Sequence, residues 1–151
     1  MTKAIADYTK GIEFSPDNAE LHINRGAALA SQGQYPQAIQ DLTKGLTQDP
    51  NNANGYFNRS LAYNFTGNYE AAIADHTRYL SMRPNNPDIY YERGLAKSKL
   101  NRYQEAVADF SKAIQLNPNQ KAYYMERSRA YKGLGDAAKS NADYERGQQM
   151  R

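Results

Sequence analysis

The chain has no cysteine, no tryptophan and only two histidines among its 151 residues. Without thiols there is no disulfide framework and no thiolate metal site, which fits a reducing compartment without requiring one. Neither His22 nor His76 has a metal-ligating residue four positions on, where a helical zinc site would need it. No run of about 18 apolar residues occurs, so the pattern holds no membrane-spanning helix, and residues 1–7 carry no apolar stretch of signal-peptide length. The default expectation is a cytoplasmic protein without a membrane partner. Blocks of like charge are missing too: 19 Lys and Arg are interspersed with 16 Asp and Glu, and the net charge is +3. A nucleic-acid partner is therefore not implied.

What is present is a period. Pro16, Pro50, Pro84 and Pro118 stand 34 residues apart, and the same shift relates Gly26, Ser60, Gly94 and Ser128. It also relates Ala28, Ala62, Ala96 and Ala130, then Gly33, Gly67 and Gly135, then Tyr35, Tyr69 and Tyr103. A fixed period of this length marks an array of one supersecondary unit rather than a globule. The expected organisation is a single domain over 1–151. A half repeat at 1–17, second helix only, is followed by full repeats at 18–51, 52–85, 86–119 and 120–151.

Within a period the grammar is helix, turn, helix. In the second repeat a helix from about Asn52 to Phe65 ends at Gly67, and one from about Tyr69 to Met82 stops before Pro84. At 100° per residue Tyr56, Ser60 and Tyr63 share the face that must pack. Asn54, Asn58, Leu61 and Phe65 share the opposite one. The small residues Gly26, Ser60, Gly94 and Ser128 let the paired helix approach closely, meeting Ala38, Ala72 and Ala106.

Tyr90-Tyr91-Glu92-Arg93-Gly94, continuing through Tyr103, Ala106-Val107, Asp109-Phe110 and Ala113-Ile114 to Pro118, resembles the tetratricopeptide-repeat (TPR) family. The resemblance covers nearly the whole chain, with Arg before the small residue and Asn101 in place of a turn glycine as departures. It implies an all-α fold: a right-handed α-α superhelix of about nine helices in antiparallel pairs. Arg25, Arg59, Arg93 and Arg127 recur with Asp7, Asp41, Asp75, Asp109 and Asp143, which suggests a structural ladder. Each Arg is expected to pair with the Asp of the preceding repeat, because Asp7 is kept although its own first helix is missing.

The family also implies a concave groove lined by the first helices. The first repeat offers Glu20, Ile23, Asn24 and Ala27, and the second Asn54, Phe57, Asn58, Leu61 and Phe65. The third offers Asp88, Tyr91, Glu92, Leu95 and Lys99, and the fourth Met125, Glu126 and Arg129. Ile23, Phe57, Tyr91 and Met125 would line up as an apolar strip, with Asn24 and Asn58 as a polar row for an extended backbone. The carboxylate clamp that grips acidic chaperone tails in some members is not carried. Ile23 and Ala27 hold two of its positions, Asp88 and Glu92 replace its cations, and only Asn58 matches. The expected function is a non-catalytic protein–protein interaction scaffold taking a neutral or basic segment of another protein.

Two alternatives differ in class. A self-assembling structural protein would oligomerise through its terminal helices, the N-terminal half repeat above all, since the last helix carries polar Asn141 and Gln148 and reads as a solvated cap. A nucleic-acid binder would stack bases on the 13 Tyr, but Glu20, Asp88, Glu92 and Glu126 would face the phosphates. No catalytic residue, metal ligand or cofactor site emerges. His22 and His76 stand where sister repeats have Tyr56, Tyr90 and Tyr124, or Leu42, Phe110 and Tyr144, and read as packing residues. The near-match to a phosphate-binding loop that ends at Lys139-Ser140 has Ala138 where glycine is needed and no preceding strand.

Overall fold

A computed structural model describes residues 2–150. Among them are nine helices and no strand: α1 (Lys3–Phe14), α2 (Ala19–Ser31), α3 (Tyr35–Gln48), α4 (Ala53–Phe65), α5 (Tyr69–Met82), α6 (Pro87–Lys99), α7 (Tyr103–Leu116), α8 (Lys121–Gly133) and α9 (Ala137–Gln148). The fold is all-α, with the boundaries where the recurring Gly and Pro placed them. Asn18, Asn52 and Asn86 cap α2, α4 and α6 by accepting from Leu21, Gly55 and Asp88 backbone N–H groups. Gln120, which holds that position before α8, makes no side-chain cap. The inter-helix turns need one left-handed residue each, supplied by Gly33, Gly67 and Gly135 at φ 74°, 77° and 76°. Asn101 fills the equivalent place at φ 58°.

The contacts divide the chain into two compact units, one up to Met82 and one from Arg83 onward. In the first, α1 packs on α2, the pairs α2/α3 and α4/α5 are antiparallel, and α2 also touches α4. Ile5, Ile23, Leu29, Ala38 and Leu42 form its core cluster. In the second, α6/α7 and α8/α9 pair in the same way, and α6 touches α8. Its cluster is Ala106, Val107, Phe110 and Ala130, backed by Tyr91, Leu95, Tyr103 and Tyr131.

The pairing depends on the small residues. A Cβ on Gly26 would lie 2.6 Å from Leu42 Cγ and 3.1 Å from the Ala38 carbonyl oxygen, and one on Gly94 would lie 2.6 Å from the Phe110 ring. Phe110, Leu42 and His76 hold one register position and are fully buried, which places His76 in packing as expected. His22 is buried too, and its Nε2–H donates to the Pro16 carbonyl at 2.7 Å. Tyr56 and Tyr124 do the same toward Pro50 and Pro118, each at 3.1 Å.

The arginines form a ladder, but not with the expected partners. Each guanidinium takes the Asp of its own repeat, sixteen residues on, through two bonds of 2.5–2.9 Å: Arg25–Asp41, Arg59–Asp75, Arg93–Asp109 and Arg127–Asp143. Asp7 is exposed and outside the ladder. The link to the preceding repeat runs instead through a hydroxyl: Arg25 donates to Thr9, Arg59 to Thr43 and Arg127 to Ser111. These hydroxyls also follow the period of 34, a signal written in the sequence beside the Arg and Asp series. Tyr56 and Tyr63 flank Arg59 at 5.7 and 5.8 Å, and Tyr124 and Tyr131 flank Arg127 at 5.8 and 5.9 Å. The hydrogen bonds to aspartate hold the Arg25, Arg59 and Arg127 guanidiniums above their usual pKa, so these charges are permanent.

Candidate functional site

In the first unit the faces of α2 and α4 turned away from their partner helices carry Asn24, Asn54, Asn58, Leu61 and Phe65. Asn54 and Phe65 are exposed and Asn24, Asn58 and Leu61 half-buried, while Ser60 on the opposite face of α4 is fully buried. Phe65 is 69% exposed and stacks on Tyr35 of α3, centroids 4.7 Å apart and planes within 4°. The Asn58 amide donates to the Asn54 carbonyl at 2.8 Å, which leaves its oxygen as an acceptor at the surface.

Ile23 is corrected: it is 4% exposed and belongs to the core, not to a groove wall. The reason is the residue opposite. A Cβ on Gly45 would sit 2.6 Å from Ile23 Cγ1, so the glycine makes the hollow into which Ile23 sinks. Phe57, one period later, meets the Tyr79 ring at 6.2 Å and stays half-buried. In the second unit Tyr91 lies across Phe110 and Tyr123 at 5.9 and 5.1 Å, and Met125 drops toward Gly147, where a Cβ would lie 2.8 Å from its sulfur. These side chains are built into the packing on one side and open on the other.

Between α6 and α8 lies an open cleft of about 530 Å³ lined by Tyr91, Leu95, Lys99, Tyr103, Glu126 and Arg129, and a separate one of about 410 Å³ lies between α8 and α9. Arg129 pairs with Glu126 one turn before it. Tyr123 donates to Asp88 at 2.5 Å, and burial together with that bond raises the Tyr123 hydroxyl pKa, so it stays a donor. Burial, and then the neighbouring Asp88 charge, push the Glu92 carboxyl above the ordinary carboxylate range. Among the described residues neither Glu92 nor Lys99 has an ion-pair partner. The described residues contain no cluster of three metal-ligating side chains and no helix long and apolar enough to cross a membrane.

Models of the tetratricopeptide repeat match residues 19–52, 87–120 and 42–74, and a TPR-repeat model matches 1–33. The TPR domain of Arabidopsis OM64 is 30% identical, covering 76% of this chain and 94% of its own, with a TM-score of 0.70. The chain belongs to the tetratricopeptide-repeat family. Among solved TPR-like structures, MamA from Desulfovibrio magneticus RS-1 has a TM-score of 0.91 at 18% identity, covering 97% of this chain and 82% of that one. Another MamA crystal structure has 0.91 at 23% identity, covering 96% and 85%. At these identities the likeness establishes the fold. No curated protein sequence matches this one. TPR proteins are in general non-catalytic interaction modules, and membership of the family supports a protein–protein interaction scaffold.

Proposed function

We propose that this TPR chain captures extended segments of another protein on the open faces of its first helices, α2 and α4 within one unit and α6 and α8 within the other. The observation that carries the reading is the contrast across α4. Ser60 is wholly buried while Asn54, Asn58, Leu61 and Phe65 remain accessible on the other side of the helix. Accessible asparagines satisfy a partner's backbone, and half-buried apolar side chains accept its side chains at small entropic cost because packing already holds them. The segment is neutral or basic. Asp88 and Glu92 repel an acidic chaperone tail, and phosphates meet the same repulsion.

The test is a titration with capped peptides selected from a random library on the intact chain. Asn58→Ala and Phe65→Ala should each weaken binding about tenfold or more, as truncations at a buried contact do, and Lys44→Ala on the outer side of α3 should not. Equal binding by all three variants would place the site elsewhere.

A second reading, self-assembly through the N-terminal half repeat, rests on α1. Ala4, Tyr8, Gly11 and Ile12 hold the positions of Ala38, Leu42, Gly45 and Leu46, all buried in α3, yet Ala4 is exposed and the others only half-buried. Phe14 at the end of α1 is 88% exposed. Under this reading light scattering shows mass rising with concentration, and Phe14→Glu abolishes the rise. A constant monomer mass excludes it.

A further inference from the structure

Asp88, Glu92, Leu95 and Lys99 follow each other at i, i+4, i+7 and i+11 and so share one stripe of α6. The carboxylates occupy its N-terminal half and the lysine its end. α8 repeats the grading one period later, with Glu126 in register with Glu92, Arg129 in register with Leu95, and Lys132 following. Leu95, between Glu92 and Lys99 on the stripe, lines the cleft together with Tyr91, Tyr103 and Ala130.

Helix stability accounts for Asp88 in the first turn of α6 and Lys99 in its last, but not for Glu92. A macrodipole favours carboxylates only in the first turn, which covers Asp88 but not Glu92, the sixth residue of α6. Glu92 is half-buried, its pKa is raised, and no cation meets it among the described residues. Lys99 is likewise without a carboxylate. An acid and a base unanswered on one stripe of α6, with Leu95 between them, are complementary to a ligand of the opposite order.

We infer that the α6–α8 face selects an extended protein segment with a basic residue, an apolar residue and an acidic residue, the two charges about three positions apart. The inference rests on the peptide-binding reading above and adds to it a charge register. The spacing follows from geometry: the seven-residue step from Glu92 to Lys99 spans about 10 Å, the reach of about three residues of a polyproline II-type extended chain, whose three-residue turn puts both charges on one side. The basic side chain lies against Glu92 and Asp88, the apolar one enters between Tyr91, Leu95 and Tyr103, and the acidic one meets Lys99 beside Arg129.

The experiment compares four capped peptide pools on the full chain. All fix a leucine between two positions three apart, which are occupied by Arg and Glu (in both orders), Arg and Arg, Glu and Glu, or Gln and Gln. The wild type should enrich the mixed-charge pool about tenfold over the others. Lys99→Glu should move the preference to the Arg and Arg pool, and Glu92→Gln should remove the discrimination while leaving the circular-dichroism spectrum unchanged. Because Lys99 is exposed, its variant folds. If all pools bind alike and their binding is lost in Tyr91→Ala, the peptide-binding reading stands and the charge register is overturned. If no pool binds, both fall.

Discussion

At the residue scale the most exacting feature is the Arg–Asp ladder. The Asp75 side chain is 6% exposed and Arg59 is its bidentate partner, so removing the arginine leaves a buried charge uncompensated. Arg59→Ala should cost about 3–5 kcal/mol in urea unfolding, and adding Asp75→Leu should restore much of it. An additive double variant would mean the pair is not coupled. The sequence displayed both series, but a strict period cannot say which Asp each Arg takes, because every Arg has one Asp before it and one after it. Helix packing decides, through a link of sixteen residues within one antiparallel pair.

Glu92 gives a prediction of opposite sign. Its pKa is raised in the folded protein by burial first and Asp88 second, so the fold binds this proton more tightly than the unfolded chain does. The contribution to stability is therefore complete at low pH and lost as pH rises through and just above the carboxylate range. Glu92→Gln should raise the melting temperature at about pH 7 and leave it unchanged at about pH 3. Equal melting of both proteins across that range would show that Glu92 is solvated like any surface carboxylate. A residue that costs stability and has no partner is the kind a binding surface retains.

At the element scale the repeats grade themselves. Asn18, Asn52 and Asn86 cap their helices while Gln120 does not, so Gln120→Asn should stabilise by about 1 kcal/mol, read from chemical denaturation. Asn101 occupies the left-handed turn that glycine fills elsewhere and accepts from the Tyr103 hydroxyl at 2.7 Å. Asn101→Val should cost about 1–2 kcal/mol because a β-branched residue does not tolerate that φ. Helix boundaries were legible because Pro and Gly punctuate them in register. The exposure of the apolar strip was not, since it depends on the residue across the pair. Gly45 lets Ile23 sink, Tyr79 holds Phe57 up, and Gly147 receives Met125. Equal periodicity therefore does not mean equal accessibility.

At the scale of the whole molecule, within each unit a two-helix repeat spends one face on its neighbour and leaves part of its first helix accessible. The asparagines and Phe65 of one unit and the graded charges of the other are what a partner would meet. The central claim is tested most directly by following the backbone amides of the isotope-labelled chain while a library-selected peptide is titrated in. The shifts should concentrate on α2, α4, α6 and α8, around Asn58, Leu61, Phe65, Leu95 and Lys99, with the outer sides of α3, α5, α7 and α9 unmoved. Shifts gathered on those second helices would contradict the account.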